Sequence, residues 1–317
     1  MSHTPPSGEP VAVALAPRDD ALLRDAIERA GGHVVGLDAE DPAVGLVWQG
    51  GPAEFPAALP ASVRWVQLPS AGVERWFTSG VLERHPDVEF TSAAGAYATT
   101  VAEHALALLL AGVRYLPAQI GTQTWSEELF APHVGTLRES TVTIVGAGGI
   151  GRTLIPMLGA LGAHVVAVNR SGTPVPGALE TVAVAQLGEV WAQTDHVVIA
   201  APATPATRHL VGADALGALK PTSWVVNVAR GDLLDTDAAV AALTLGAIGG
   251  VGLDVTDPEP LPDGHPLWSL PNAIITPHVA NPPQRQAGAY ADRVAANVAR
   301  FAAGQELIAL VDREQGY

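Results

Sequence analysis

The chain of 317 residues contains no cysteine. That absence excludes disulfide staples, zinc–thiolate sites and a thiol nucleophile, and it accords with a reducing interior. Basic residues are scarce: 17 Lys and Arg stand against 32 Asp and Glu, a formal charge of −15. So acidic a chain is a poor non-specific binder of nucleic acid, which needs cations along the phosphates. An anionic ligand must be drawn in by local positive groups, not by the overall field. Long hydrophobic runs are missing too. Residues 105–113, flanked by Glu103, His104 and Arg114, are too few to span a bilayer and read as a buried helix. Residues 1–6 lack the basic-then-apolar plan of a signal peptide, so the expected location is the cytoplasm. What is present is apolar: 48% hydrophobic against 15% charged residues, enough for ample cores in a chain whose length suits two domains.

The most informative stretch is Gly146-Ala147-Gly148-Gly149-Ile150-Gly151, placed between the apolar run 141–145 and a helical stretch. Strand, glycine turn and helix in that order suit a dinucleotide pyrophosphate. Gly146 permits the tight turn, Gly148 lets the backbone approach the phosphates, and Gly151 allows close packing of helix on strand. The helix N-terminus then offers free N–H groups to the anion. About 20 residues on, an NAD-type site carries Asp or Glu for the ribose 2′-hydroxyl. Here the second strand, 164–168, ends in Asn169-Arg170-Ser171. Arg170 can pair with a 2′-phosphate, and Asn169 and Ser171 can donate to it, so the expected cofactor is NADP in preference to NAD. The same tripeptide matches a glycosylation sequon, but nothing points to secretion.

Short apolar strands at 11–16, 33–36, 45–48, 63–68 and 88–91, with a helix at 21–30 capped by Asp19 or Asp20, predict a small parallel α/β unit. A helix over 101–114 follows, with Thr99 or Thr100 as N-cap, and a less regular arm over 115–140. Strands at 141–145, 164–168, 196–200, 223–227, 250–254 and 273–276 predict a second α/β unit, and an amphipathic helix spans 285–303. The predicted fold class is α/β, with two Rossmann-like or flavodoxin-like domains and parallel sheets. The nucleotide domain (113–284) is inserted into a substrate domain made of 1–112 and the returning segment 285–317.

Three segments at predicted strand ends, where ligands bind in open α/β sheets, carry the chemistry. They hold Arg230, Glu259 and His278 respectively. With Ser70-Ala71-Gly72-Val73-Glu74, Val101-Ala102-Glu103-His104, the glycine turn, Thr204-Pro205-Ala206-Thr207-Arg208, Val228-Ala229-Arg230-Gly231, Leu253-Asp254-Val255, Pro258-Glu259-Pro260 and Pro277-His278 in order, the chain resembles the D-isomer-specific 2-hydroxyacid dehydrogenases. That family includes the glyoxylate/hydroxypyruvate reductases.

The resemblance implies a role for each matching residue. Arg230 binds the carboxylate and carbonyl oxygen of a 2-oxo acid, for which its planar fork is suited. His278 protonates the carbonyl oxygen as hydride arrives, and Glu259 orients the imidazole and favours its charged form. The amides of Ala71, Gly72 and Val73 cradle the substrate carboxylate. Gly149 and Ile150 face the pyrophosphate, Thr207 lies along the cofactor, Asp254 contacts the nicotinamide, and Val228, Ala229 and Ala280 complete the cofactor set. A homodimer through the nucleotide domain is implied as well, with 101–114 and the arm 115–140 as its surface. His104, beside Glu103 in an apolar helix, reads as a structural hydrogen-bonding residue. Trp76 and Trp268 are either pocket walls or core, and no histidine spacing suggests a metal.

The expected reaction is NADPH-dependent reduction of a small 2-oxo acid of the glyoxylate, hydroxypyruvate or arylpyruvate type to the D-2-hydroxy acid. The alternatives are an NAD-dependent dehydrogenase of another acid such as phosphoglycerate, and a dinucleotide-sensing, corepressor-like binding protein. About 40 residues follow His278, too few for a regulatory domain, which weighs against phosphoglycerate.

Overall fold

The computed structural model describes residues 10–39 and 41–317; the stretch 1–6, read above for a leader, lies outside them. Short runs of Val, Ile, Leu and Ala form strands buried on both faces, as parallel sheets require. Two compact units result: one takes the chain up to Tyr97 together with Pro282–Tyr317, the other is Ala98–Asn281.

The first unit holds β1 (Val11–Ala16), β2 (Gly32–Val35), β3 (Gly45–Trp48), β4 (Trp65–Gln67) and β5 (Glu89–Thr91), in the order β2-β1-β3-β4-β5 with every pair parallel. Helix Ala21–Arg29 is capped by Asp20, whose carboxylate accepts from Leu23 N at 3.0 Å. It packs beside the C-terminal helix Pro283–Ala302, which returns to this unit. Buried polar groups tie that helix in: Asn297 Nδ2 donates to Gln67 Oε1 at 2.8 Å, and Tyr290 Oη donates to Trp48 O at 2.9 Å. Trp76 is core, packed edge-on against Phe55.

The second unit holds β6 (Thr141–Val145), β7 (His164–Asn169), β8 (Glu180–Ala183), β9 (His196–Ile199), β10 (Trp224–Asn227), β11 (Gly250–Leu253) and β12 (Ala273–Ile275). Their order, β12-β11-β10-β9-β6-β7-β8, is parallel throughout. The strand order reverses between β6 and β9, and such a switch point is where open α/β sheets bind ligands. Seven strands replace the six expected. The extra one, β8, is an edge strand with Val182 as its sole buried residue, so it lacks the apolar run that marks the others.

Helix Ala98–Val113 starts before the expected 101, and Thr99 and Thr100 lie within its first turn instead of capping it. It packs on helix Gly149–Ala160 and on β10 and β11. The approach is so close that a Cβ on Gly112 would stand 2.2 Å from Trp224. The helix therefore belongs to the nucleotide-type unit. The chain divides at 97/98 and 281/282, not at the expected 112/113 and 284/285. Among the described residues no helix is long and apolar enough to cross a membrane.

Candidate active site

The three glycines of the turn have three different reasons to be glycine. Gly146 has φ +106°, and a Cβ there would stand 2.4 Å from Ala201 N. A Cβ on Gly151 would meet the carbonyl of Gly146 at 2.5 Å, so helix and strand touch backbone to backbone. Gly148 is the opposite case: a Cβ would meet nothing within 4 Å. The space above it is open, next to the N-terminus of helix Gly149–Ala160, whose cap Gly148 offers no side-chain acceptor. A dinucleotide pyrophosphate fits these features, with Gly148, Gly149, Ile150 and Gly151 as its backbone cradle.

At the end of β7, Asn169 shapes its own loop. Its Oδ1 accepts from Ser171 N at 3.1 Å and Gly172 N at 2.7 Å, and its Nδ2 donates to Thr173 O at 2.7 Å. Ser171 Oγ shares a hydrogen bond with Thr173 Oγ1 at 2.6 Å. Both polar side chains expected to donate to a 2′-phosphate are thus partly engaged in the loop. Arg170 is exposed and carries the charge of the tripeptide. After β9, Thr207 Oγ1 donates to Pro202 O at 2.8 Å and accepts from Thr204 N at 2.8 Å, which closes that loop on itself.

β10, β11 and β12 are neighbours, and the loops that leave their C-terminal ends bear Arg230, Glu259 and His278. Asn227, buried at the end of β10, accepts from Ala229 N at 3.0 Å and donates to Arg230 O at 2.7 Å, so it folds the turn that presents Arg230. Gly231 lies so close to the carbonyl of Thr256 that a Cβ would stand 1.9 Å from its oxygen. That contact seats the Arg230 loop against the segment leading to Glu259. Val228 and Ala229 are buried beside it.

His278 Nδ1 lies 2.7 Å from Glu259 Oε1, with both side chains about half exposed at 53% and 42%. The histidine has φ +54°, an uncommon conformation for a non-glycine residue. What holds it there is Asp254, 2% exposed. The Asp254 carbonyl accepts from His278 N at 2.9 Å. Its carboxylate accepts from Thr276 Oγ1 at 2.6 Å, Val279 N at 2.9 Å and Ala280 N at 3.0 Å. Asp254 is therefore first the anchor of the histidine loop, and the Ala280 N–H is spent on that anchor. One Oδ2 lone pair remains for any contact with a nicotinamide. His104 Nε2 reaches Thr276 Oγ1 at 2.9 Å and stands 3.4 Å from Asp254 Oδ1. This hydrogen bond joins helix Ala98–Val113 to the histidine loop.

With this geometry the similarity to known proteins is specific. The model of the D-isomer specific 2-hydroxyacid dehydrogenase NAD binding domain matches residues 104–280. The chain belongs to the D-isomer-specific 2-hydroxyacid dehydrogenase family. Human glyoxylate reductase/hydroxypyruvate reductase is 33% identical over 235 residues, 72% of this chain and 70% of that one. An uncharacterized protein of Corynebacterium melassecola is 40% identical over 297 residues, 92% of this chain and 95% of that one. The D-isomer specific 2-hydroxyacid dehydrogenase of Xanthobacter autotrophicus Py2, solved with NADPH and MES, is similar at a TM-score of 0.79. It is 27% identical, covering 98% of this chain and 100% of that one. As a member of this family, the chain is an NAD(P)-dependent oxidoreductase.

In the first unit of this dehydrogenase, Ser70 Oγ donates to Gly72 O at 2.7 Å and accepts from Trp76 Nε1 at 3.3 Å. That fixes the loop 70–73. Among the described residues no acceptor takes the N–H of Ala71, Gly72 or Val73, which leaves three consecutive amide donors for an anion. Trp268 is half exposed and donates to Pro262 O at 3.0 Å. Sequence reasoning missed Asn227 and Thr276. Asn227 is the polar last residue of apolar β10 and Thr276 the polar residue directly after β12, the one signal that marked them.

Proposed function

We propose that this dehydrogenase reduces a small 2-oxo acid to the D-2-hydroxy acid, with NADPH as the preferred cofactor. The observation that carries the reaction is the 2.7 Å pair of His278 Nδ1 and Glu259 Oε1. With Nδ1 engaged, Nε2 is the ring nitrogen left to face a carbonyl oxygen. When bound, the reduced nicotinamide supplies a hydride to the carbonyl carbon. His278 gives the oxygen its proton, a contribution typically on the order of 10² to 10⁴ in rate. Glu259 stabilises the imidazolium before transfer. Arg230 holds the carboxylate and polarises the carbonyl. Gly148–Gly151, Thr207, Val228, Ala229, Asp254 and Ala280 form the cofactor set.

NADPH is favoured because the loop after β7 bears Arg170 and no carboxylate. A charge-assisted pair of this kind is worth roughly 1.5–3 kcal/mol, hence about 10- to 150-fold in kcat/KM. The 2′-phosphate is remote from the reacting atoms, so the preference falls mainly on KM. The reading includes a cytoplasmic homodimer. Its test is the absorbance of reduced nicotinamide with a panel of 2-oxo acids against NADPH and NADH. Arg170→Ala erases most of the preference, and Asn169→Asp turns it toward NADH. Equal kcat/KM for both cofactors in the unmodified protein rejects the cofactor assignment; no turnover of any 2-oxo acid with either rejects the reaction.

A further inference from the structure

Arg152 follows the last glycine of the turn and belongs to none of the motifs assigned above. It is exposed, at the fourth position of helix Gly149–Ala160. A helical side chain leans back toward the N-terminus, and Arg152 does so: its Nε donates to the carbonyl of Ala147 at 3.2 Å. A cation in this place opposes the partial positive charge of the helix end. Among the described residues no carboxylate pairs with it. It also sits in a chain that has few cations to place.

Ala147 fixes where the guanidinium stands. Its N–H and that of Gly146 both donate to Val168 O, at 3.1 and 2.9 Å, so the turn is pinned to the end of β7. Arg170 follows Val168 by two residues. One guanidinium thus comes from the helix side and one from the loop side of the same strand end. With Nε committed to Ala147, the two Nη groups of Arg152 keep donors for an anion. The Arg152 cation at the helix N-terminus is itself opposed by the dipole, a cost that a bound anion offsets.

We infer that Arg152 is a second cationic ligand of the cofactor's 2′-phosphate, acting with Arg170. The inference rests on the NADPH reading above. Its test is Arg152→Gln, with Kd values for NADPH and NADH from titration calorimetry and the melting temperature of the cofactor-free protein. The expected result is a rise in Kd for NADPH of roughly 10-fold or more, a Kd for NADH within about twofold, and a free-protein Tm unchanged or raised. Arg152→Lys keeps part of the NADPH affinity, because charge is retained while the fork is lost. Equal weakening of both cofactors overturns the inference in favour of the pyrophosphate. A lowered Tm with unchanged affinities overturns it in favour of a structural role for the bond to Ala147. Failure of the underlying reading is separately visible: the unmodified protein would then bind 2′,5′-ADP no more tightly than 5′-ADP.

Discussion

Asp254→Asn changes one oxygen to an amide nitrogen and leaves size and shape intact, yet it disturbs the whole histidine loop. The carboxylate accepts three hydrogen bonds, two at Oδ1 from Thr276 and Val279 and one at Oδ2 from Ala280. An asparagine must aim its NH2 at one of these donors. The less costly orientation opposes the Ala280 N–H, leaving a buried donor unsatisfied at about 1–3 kcal/mol. The two bonds that remain lose their charge assistance, roughly 0.5–1 kcal/mol each. A total of about 3 kcal/mol follows. For a domain of this size 1 kcal/mol moves Tm by about 2–4 °C, so the transition of the second unit falls by roughly 6–12 °C. The same loop sets the left-handed backbone of His278. If the full cost appears in the reaction, kcat falls by up to about 150-fold. Calorimetry and steady-state kinetics at saturating 2-oxo acid measure both. An Asp254→Asn variant with unchanged Tm and unchanged kcat refutes the anchoring role.

His278→Ala abolishes carbonyl reduction while NADPH still binds, read by turnover and by cofactor titration; near-wild-type turnover rejects His278 as the acid. Burial, with Lys220 adding to it and Asp195 opposing, pushes the His196 imidazole down to about 4, and its neutral Nδ1 accepts from Trp224 N at 3.2 Å. Because the folded value lies below the unfolded one, this stability is complete above about pH 6.5 and is lost as pH falls toward 4, about 3 kcal/mol in all. Urea melts of His196→Gln at pH 7 and pH 4.5 check it: the variant's stability changes less between the two than that of the unmodified protein. The arm 115–140 exposes Ile120 at 78%, Trp125 at 96% and Leu129 at 61%, an apolar surface suited to a second copy. Sedimentation is expected to give a dimer that Trp125→Ser weakens, and a monomer at micromolar concentration rejects it.

Most of the fold was legible because each central strand is a short apolar run ended by a turn, and periodicity records burial. The position of β8 was not legible, since an edge strand needs only one inward residue. Helix Ala98–Val113 was found but assigned to the wrong unit: an apolar face says that a helix is buried, not which sheet buries it. That information lies in the fit of Gly112 against Trp224, which no local pattern carries. At the site, Arg230, Glu259 and His278 were recognisable as motif members at strand ends. The engagement of Asn169 in its own loop and of Asp254 in the histidine loop was not, because a residue type names its possible partners without choosing among them.

The interrupted first unit also sets an order of events during synthesis. Gln67 is fully buried, and its Oε1 accepts from Thr91 Oγ1 and from Asn297 Nδ2. The helix that supplies Asn297 is made only after all of Ala98–Asn281 has been translated. At about 5–20 residues per second that intervening stretch takes on the order of 10–40 s. Throughout that interval the first five strands lack the helix that covers them, and the inserted unit is complete before that helix is made. Thr100 Oγ1 donates to Asn281 Oδ1 at 3.1 Å, which closes the inserted unit at its own two ends. The nascent amino-terminal segment is therefore the portion exposed longest to chaperones and proteases, and a chain halted between residues 281 and 297 carries the whole sequence of the nucleotide unit joined to an unfinished neighbour.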